Sequence, residues 1–240
     1  MPTQRGKSSL TPFFRWTLIV VAAVFAIALA WLVWIAAHIG WYRYYPPHET
    51  AFMAQRLTEA RAKGRKIELR YAWVPYDRVA PAMKRAMIAA EDAKFVEHSG
   101  FDWEGIEQAQ EKNRRRGRIV AGGSTITQQL AKNLFLSPAK SYWRKVEEAV
   151  ITVLLEAMLP KQRIFELYLN VIEWGNGVFG VEAAARRYFH VGAHQLTAEQ
   201  AARLAAMAPA PRVFERSPES AYLAGRVATI LARMPSAQVP

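Results

Sequence analysis

The stretch Glu91–Gly100, with the sequence EDAKFVEHSG, decides how the rest of the chain is interpreted. It follows a helical pattern of apolar residues that begins at Pro81, so the carboxylates of Glu91 and Asp92 come at the end of an apolar helix face. Burial and the negative end of the helix dipole both raise the pKa of a carboxyl group at such a position. The stretch is therefore a candidate for general acid or base chemistry, although a solvated helix end would contain the same pair.

A long apolar segment lies near the N-terminus. Residues 16–37 carry no charge, and their one hydroxyl is that of Thr17. A helix of that length spans the roughly 30 Å hydrocarbon core of a bilayer. A cleavable signal peptide would have an apolar region of about 7–15 residues and a small-residue cleavage site. The segment instead leads into aromatic residues typical of a membrane interface, including Trp41 and Tyr42, so the sequence favours a retained anchor.

The charges around this segment predict its orientation. Arg5, Lys7 and Arg15 precede it closely, whereas only Arg43 follows it closely. Positively charged flanks stay on the cytoplasmic side, so residues 1–15 are predicted to be a cytoplasmic tail and the remainder to lie outside. The chain has no cysteine, which fits an exported domain without disulfides.

The formal net charge of +12 indicates an anionic partner. Nucleic acid is the usual partner of a basic protein, but a domain on the outer face of a membrane does not meet it. Anionic lipid headgroups or a lipid-linked pyrophosphate are the better candidates.

Most of the exported part is predicted to be helical. The membrane-spanning helix over 16–38 is followed by a membrane-proximal segment over 39–66, which contains a short helix, and by one domain over 67–240. Apolar and polar residues alternate along 67–73, which predicts one strand-like segment. Glycines near residue 177 indicate loops. The other helices are predicted over 81–91, 101–110, from 125 onward, 142–159, 163–170, 181–189, 197–207 and 220–234.

Five cationic side chains fall within Lys112–Arg118. Such a run is typical of a mobile solvated loop. The alternative is an electrostatic guide for an anionic substrate.

The stretch Gly122–Gln129 predicts a turn followed by a helix, because Thr125 and Gln128 have the spacing of a capping box. Free backbone N–H groups at a helix start bind anions, but no Gly-Lys-Ser/Thr follows, so this is not a nucleotide-binding loop of that kind. Thr125, Gln129 and Lys132 share one polar face, which either is solvated or points at a site.

The helix predicted over 142–159 is apolar nearly all round from Val146 onward, so we expect it to be buried. Glu148 lies one turn after Arg144 and one turn before Thr152. An exposed Arg–Glu pair would explain this spacing, but in a buried helix a polar cleft along one side is the better explanation.

Four motifs in this order resemble the signature of the peptidoglycan glycosyltransferase family, which includes the transglycosylase domains of bifunctional penicillin-binding proteins and their free-standing relatives. Glu91–Gly100 resembles the motif Glu-Asp-x-x-Phe-x-x-His-x-Gly, and Gly122–Asn133 resembles the second motif. Arg144–Glu148 is similar to the third, Arg-Lys-x-x-Glu, and Lys161–Asn170 to the fourth.

The resemblance is strong over residues 85–190 and weaker from Phe52 to the end of the chain. The single anchor resembles the monofunctional biosynthetic form of the family. Phe165 replaces the usual leucine, and the pair Glu173-Trp174 differs from the bifunctional enzymes. These departures affect details of the side of the cleft that would hold the acceptor sugar, and they leave the expected chemistry unchanged.

The resemblance implies a mostly α, lysozyme-like fold, in which a cleft separates a globular head from a membrane-embedded jaw. It implies that lipid II, a disaccharide-pentapeptide on undecaprenyl pyrophosphate, is polymerised into β-1,4-linked glycan. Glu91 would be the general base that takes the proton of the acceptor sugar's 4-hydroxyl, and Glu148 would position groups around the leaving pyrophosphate. The other residues implied in substrate binding are Asp92, Phe95, His98, Ser124, Thr125, Gln129, Lys132, Lys140 and Arg144.

No cofactor is expected, because lysine and arginine can stabilise the charge on a leaving pyrophosphate. A divalent cation, Mg²⁺ or Mn²⁺, could share that role, but no ligand cluster demands one and no metal-binding residue is predicted. The expected partners are lipid II, the growing glycan strand, membrane lipid, and proteins of cell-wall synthesis or division, with no nucleic acid. The expected location is the bacterial inner membrane, with the catalytic domain in the periplasm.

Three alternatives stay open. A lytic transglycosylase or muramidase would use the same fold and glutamate to cleave glycan. Ser137–Lys140 spells the Ser-x-x-Lys of acyl-serine enzymes, although the chain has no Lys-Thr-Gly. A basic membrane protein without enzymatic activity would bind anionic lipid or a division partner.

Overall fold

The computed structural model describes residues 12–118, 122–136 and 141–240. Its helices are α1 Pro12–Tyr42, α2 Ala51–Ala62, α3 Pro81–Glu91, α4 Trp103–Arg116, α5 Ile126–Phe135, α6 Tyr142–Met158, α7 Lys161–Val171, α8 Val181–Phe189, α9 Ala198–Met207, α10 Pro211–Phe214 and α11 Ala221–Arg233. Its strands are β1 Arg70–Tyr71, β2 Glu173–Gly175 and β3 Val178–Phe179. The predicted fold class, mostly α behind one apolar N-terminal helix, is confirmed.

The helices begin where the sequence supplies caps. Pro81 lies in the first turn of α3, and Thr125 forms a capping box with Gln128 at the start of α5. Thr197 and Gln200 form the same arrangement before α9. The capping boxes satisfy backbone N–H groups that have no partner inside the helix, and proline at the first position has no N–H to satisfy. The predicted starts of all three helices are confirmed.

The buried core lies around α5 and α7. α5 packs against both α6 and α7. Leu130 on α5, Phe165 on α7 and Met83 on α3 are fully buried. Since these helices carry the sequence motifs, the packing of the core fixes the relative positions of the motifs.

A small sheet joins parts of the chain that are distant in sequence. β3 lies between the other two strands, parallel to β1 and antiparallel to β2. The prediction of a single strand is therefore wrong, because β2 and β3 lie where only loops were expected. The glycines there form a hairpin turn, with Gly177 at a φ of 74°. Trp174 and Phe179 on the two strands are fully buried, but two or three residues are too few to show a strand's alternation.

The prediction of a mobile solvated loop over Lys112–Arg118 is wrong for most of the run. α4 continues to Arg116 and ends at Gly117, which has a φ of 62°. Glu111 pairs with arginines three and four residues further on, and such pairs stabilise a helix. The alternative, that the run guides an anionic substrate, stays a prediction.

The expectation that α6 is buried holds for one of its faces. Ile151 and Leu155 are fully buried, whereas Val146 is 51% exposed and Val153 is 55% exposed. A continuous apolar sequence therefore does not mean burial on every side of this helix.

Helix α1 is long and apolar enough over Phe13–Tyr42 to cross a membrane. Its C-terminal end packs on the domain, where Ile39 is fully buried. Arg163 Nε donates a 2.7 Å hydrogen bond to the backbone oxygen of Tyr42. Arg43 Nη1 donates a 2.9 Å hydrogen bond to the last backbone oxygen of α6. The end of α1 is thus fixed to the helices that carry the third and fourth motifs.

Candidate active site

Glu91 is the last residue of α3, and its side chain is 10% exposed. Gln129 Nε2 donates a 2.9 Å hydrogen bond to Glu91 Oε2. Gln129 is itself oriented by Tyr168, whose hydroxyl donates to Gln129 Oε1 at 3.0 Å. Because Oε1 of the amide is occupied in this way, its nitrogen faces the carboxylate.

The surroundings of Glu91 raise its pKa above the ordinary value. Burial is the largest cause, because it disfavours the charged carboxylate. The hydrogen bond from Gln129 and the positive charges of Arg226 and Lys132 act in the opposite direction, and the negative charge of Asp92 adds to the rise. A carboxyl group whose pKa is raised toward neutrality is suited to take up and release a proton near physiological pH.

Asp92 joins the first motif to the second. Its Oδ2 atom accepts a 3.0 Å hydrogen bond from the backbone N–H of Ile126, at the start of α5. Its Oδ1 atom lies 2.9 Å from His98 Nε2. Asp92 is 7% exposed, so it holds His98 and the start of α5 from inside the protein.

The other predicted residues of the first two motifs differ in their positions. Phe95 is fully buried in the core, and Lys161 Nζ lies 4.4 Å from the centre of its ring. Thr125 is also buried, and its hydroxyl donates a 2.7 Å hydrogen bond to the backbone oxygen of Gly100. Ser124 is exposed. Phe95 and Thr125 therefore support the site from the protein interior.

The third motif forms a cationic cluster around a buried acid. Glu148 is 3% exposed. Arg144 Nη1 lies 3.3 Å from Glu148 Oε2, and Lys145 Nζ is hydrogen-bonded to Glu148 Oε1. The Thr152 hydroxyl donates to the backbone oxygen of Glu148 at 2.7 Å. The spacing in the sequence indicated a polar cleft here, and the structure has a buried acid paired with a half-buried arginine and an exposed lysine at that place.

Lys132 lies within the electrostatic reach of both acids. Burial lowers the pKa of Lys132, and the charges of Arg144 and Lys145 lower it further. The negative charges of Glu148 and Glu91 raise it. The structure therefore brings Glu91 of the first motif, Lys132 of the second and Glu148 of the third into one charged region.

A pocket of about 280 Å³ opens next to this region. Gln129, Lys132 and Tyr168 line it, and Gln129 connects it to Glu91. The remaining lining residues come from α2, α5, the end of α7, the start of β2, the turn before α10 and α10 itself: Phe52, Arg56, Asn133, Ile172, Glu173, Ala208, Pro209, Ala210, Pro211, Arg212 and Val213.

The acids in this region face cations. No three His, Cys, Asp or Glu side chains in the described ranges form a group that could hold a metal ion. The described residues therefore offer no ligand set for a divalent ion held by protein side chains alone. Lys140, predicted to bind substrate, and the Ser137–Lys140 stretch lie outside the described residues.

The sequence did not indicate some residues that adjoin the site. Tyr168 belongs to the Tyr-Leu-Asn of the fourth motif, and this membership could have indicated it as a residue of the site. Lys145 lies within the third motif in the same way. Arg226 carries no signal, because it contacts Glu91 from α11 across a long stretch of chain.

A buried carboxyl group with a raised pKa, beside a pocket and a cluster of cations, is typical of an acid–base enzyme that acts on an anionic substrate. Comparison with known proteins gives the family. A family model described as Transglycosylase matches residues 59–235. The chain belongs to the transglycosylase family.

The similarity to curated proteins extends over nearly the whole chain. A biosynthetic peptidoglycan transglycosylase of Dechloromonas aromatica is 57% identical over 226 residues, covering 94% of this chain and 98% of the relative. Proteins of the same description from Chromobacterium violaceum and Azoarcus sp. are each 53% identical, covering 92% and 95% of this chain and 97% and 98% of the relatives. The predicted family and the enzyme class, a peptidoglycan glycosyltransferase, are confirmed.

Proposed function

We propose that this enzyme polymerises lipid II into β-1,4-linked glycan strands with release of undecaprenyl pyrophosphate, and that Glu91 is the general base. The observation that carries the proposal is the buried Glu91 carboxyl group, whose pKa is raised and which lies within reach of the charge of Lys132. The names of the relatives support the substrate class.

In the proposed reaction the 4-hydroxyl of the acceptor sugar loses its proton to Glu91 as its oxygen bonds to the anomeric carbon of the growing strand. The bond between that carbon and the pyrophosphate oxygen breaks in the same step, so an α-linked donor gives a β-linked product. The two carboxylates, Glu91 on α3 and Glu148 on α6, lie on different helices, and a pair of separate carboxylates suits an inverting displacement.

The leaving pyrophosphate gains negative charge as its bond breaks. Lys132, Arg144 and Lys145 supply positive charge in the same region, and such preorganised cations stabilise a developing anion. Glu148 holds two of these cations through its ion pairs. No cofactor is needed for this chemistry, although Mg²⁺ or Mn²⁺ bound to the pyrophosphate itself could assist.

The remaining predicted residues have supporting roles. Gln129 orients Glu91, and Asp92 holds His98 and the start of α5. Ser124 is exposed and is available to a donor sugar.

We infer that α1 anchors the enzyme in the bacterial inner membrane, with the N-terminus in the cytoplasm and the catalytic domain in the periplasm. The apolar length of α1 and the excess of cations on its N-terminal side support this orientation. The substrate is itself a membrane lipid, so an anchored domain meets it at the bilayer surface. Proteins of cell-wall synthesis or division are the expected protein partners.

The test is turnover of purified lipid II by the full chain in detergent. Glu91→Gln should lower the rate at least 100-fold, because general-base catalysis contributes about 10²–10⁴. Glu97→Gln is the matched control, since it removes an exposed acid of the same motif and should leave the rate unchanged. A chelator should also leave it unchanged.

Polymerisation by Glu91→Gln at the wild-type rate would refute the assignment of the base. Loss of pre-formed glycan without any synthesis would favour the lytic alternative. A rate that a chelator abolishes and Mg²⁺ or Mn²⁺ restores would show that a metal is required.

A further inference from the structure

Arg226 lies next to the proposed base, although it is distant from it in the sequence. It belongs to α11, which packs against α3, the helix that ends at Glu91. Arg226 Nη2 lies 3.9 Å from Glu91 Oε1, and the Arg226 side chain is 30% exposed. Its Nε atom is buried and has no hydrogen-bond partner among the described residues.

The two oxygens of Glu91 have different surroundings. Oε2 accepts the 2.9 Å hydrogen bond from Gln129. Oε1 lies near the positive charge of Arg226 at 3.9 Å, which is too long for a hydrogen bond. The lone pairs of Oε1 stay open to an incoming hydroxyl, while the nearby charge favours the ionised carboxylate.

Other charged and titratable groups face Glu91 from the elements around it. Lys132 on α5 adds a second positive charge, and Asp92 adds a negative charge from the adjacent position. Tyr168 on α7 interacts electrostatically with Glu91. Of the two cations, Arg226 makes the ion pair with Glu91, whereas Lys132 is shared with Glu148.

We propose that Arg226 is a positioning residue that keeps the Glu91 carboxylate ionised and leaves Oε1 as the oxygen that receives the substrate's proton. The inference rests on the proposed role of Glu91 as the general base. Arg226 acts through Glu91 and needs no contact with the substrate. An opposite charge within about 4–6 Å lowers a carboxyl pKa by about 1–3 units. Removal of the Arg226 charge should therefore raise the pKa of Glu91.

The experiment compares Arg226→Gln, Arg226→Lys and Arg233→Gln in the full chain, measuring kcat/KM for lipid II polymerisation across the acidic limb of the pH profile. A base must be deprotonated to act, so a higher pKa moves this limb to higher pH. For Arg226→Gln we expect the midpoint of the acidic limb to rise by about one pH unit. At pH values below the midpoints of both wild type and variant, kcat/KM should be about tenfold lower than in wild type, and at alkaline pH it should recover almost completely.

The two other variants are matched controls. Arg226→Lys keeps the positive charge and should keep the midpoint within a few tenths of a pH unit. Arg233→Gln removes the same charge from an exposed position on the same helix and should leave the profile unchanged.

An unmoved midpoint in Arg226→Gln, or a loss of equal size at every pH, would overturn the inference, since a purely structural role predicts the second result. If thermal unfolding shows that Arg226→Gln does not fold, Arg226→Lys is the deciding variant. A shift of its pH midpoint by a full unit would then overturn the inference. Wild-type activity in Glu91→Gln would instead refute the proposed function, whatever Arg226 does.

Discussion

The substitution Asp92→Asn tests whether one buried carboxylate holds the first two motifs together. Asp92 accepts hydrogen bonds on both of its oxygens, from Ile126 N–H at 3.0 Å and from His98 Nε2 at 2.9 Å. Asparagine keeps the shape of the side chain but directs an NH₂ group at one of these two donors. His98 cannot adapt without cost, because its Nδ1 atom is buried and has no partner among the described residues.

The expected magnitude follows from these contacts. A hydrogen bond to a charged group contributes about 1.5–3 kcal/mol, and a buried donor left without an acceptor costs about 1–3 kcal/mol. The two effects concern the same contact and overlap, so we expect the free energy of unfolding to fall by about 3 kcal/mol. In a chain of this size, each kcal/mol lowers Tm by about 2–4 °C, so Tm should fall by about 6–12 °C.

The assay is thermal unfolding of the full chain in detergent, followed by circular dichroism of its helices. Asp102→Asn is the matched control. Asp102 Oδ1 accepts a 2.9 Å hydrogen bond from Gly105 N–H at the start of α4, and asparagine caps a helix about as well as aspartate. The control should therefore unfold within about 0.5 kcal/mol of wild type. If Asp92→Asn unfolds together with this control, the carboxylate does not hold the motifs and the argument fails.

Two further predictions concern the support of the site and the hairpin. Tyr168→Phe removes the hydrogen bond that orients Gln129, which contributes about 1 kcal/mol. It should lower kcat/KM for lipid II about fivefold. Tyr222→Phe, on the exposed surface of α11, should leave kcat/KM unchanged. Gly180→Ala should lower the free energy of unfolding by about 3 kcal/mol, because φ is 81° and a Cβ would lie 2.6 Å from a backbone oxygen of α7. Gly225→Ala has open space and a helical setting, so equal denaturation midpoints for the two alanine variants would contradict this reasoning.

Features that depend on neighbouring residues could be predicted from the sequence. The capping box of Thr125 and Gln128 needs only three residues of separation, and it starts α5 where the sequence indicated. The polar surroundings of Glu148 follow from Arg144 one turn away, although the spacing could not distinguish an exposed pair from a buried cluster. Local chemistry therefore gave most of the helices and the candidate acids, but not β2 and β3 and not the environment of the acids.

Features that depend on distant residues could not be predicted. The hydrogen bond from Tyr168 to Gln129 joins α7 to α5, and the ion pair of Arg226 with Glu91 joins α11 to α3. No periodicity or local spacing encodes such pairs, since they exist only after the core has packed. The burial that raises the pKa of Glu91 has the same origin.

The two glutamates of the site have the same side chain and different environments, and this difference divides the proposed work between them. Burial dominates around Glu91 and raises its pKa, as a base near neutrality requires. Glu148 is instead bound to Arg144 and Lys145, so it organises cations. Lys132 interacts with both acids. When Glu91 takes the proton in the proposed reaction, one negative charge near Lys132 is neutralised as the leaving pyrophosphate gains charge. The positive charge of Lys132 then acts on the pyrophosphate at the moment when it is needed.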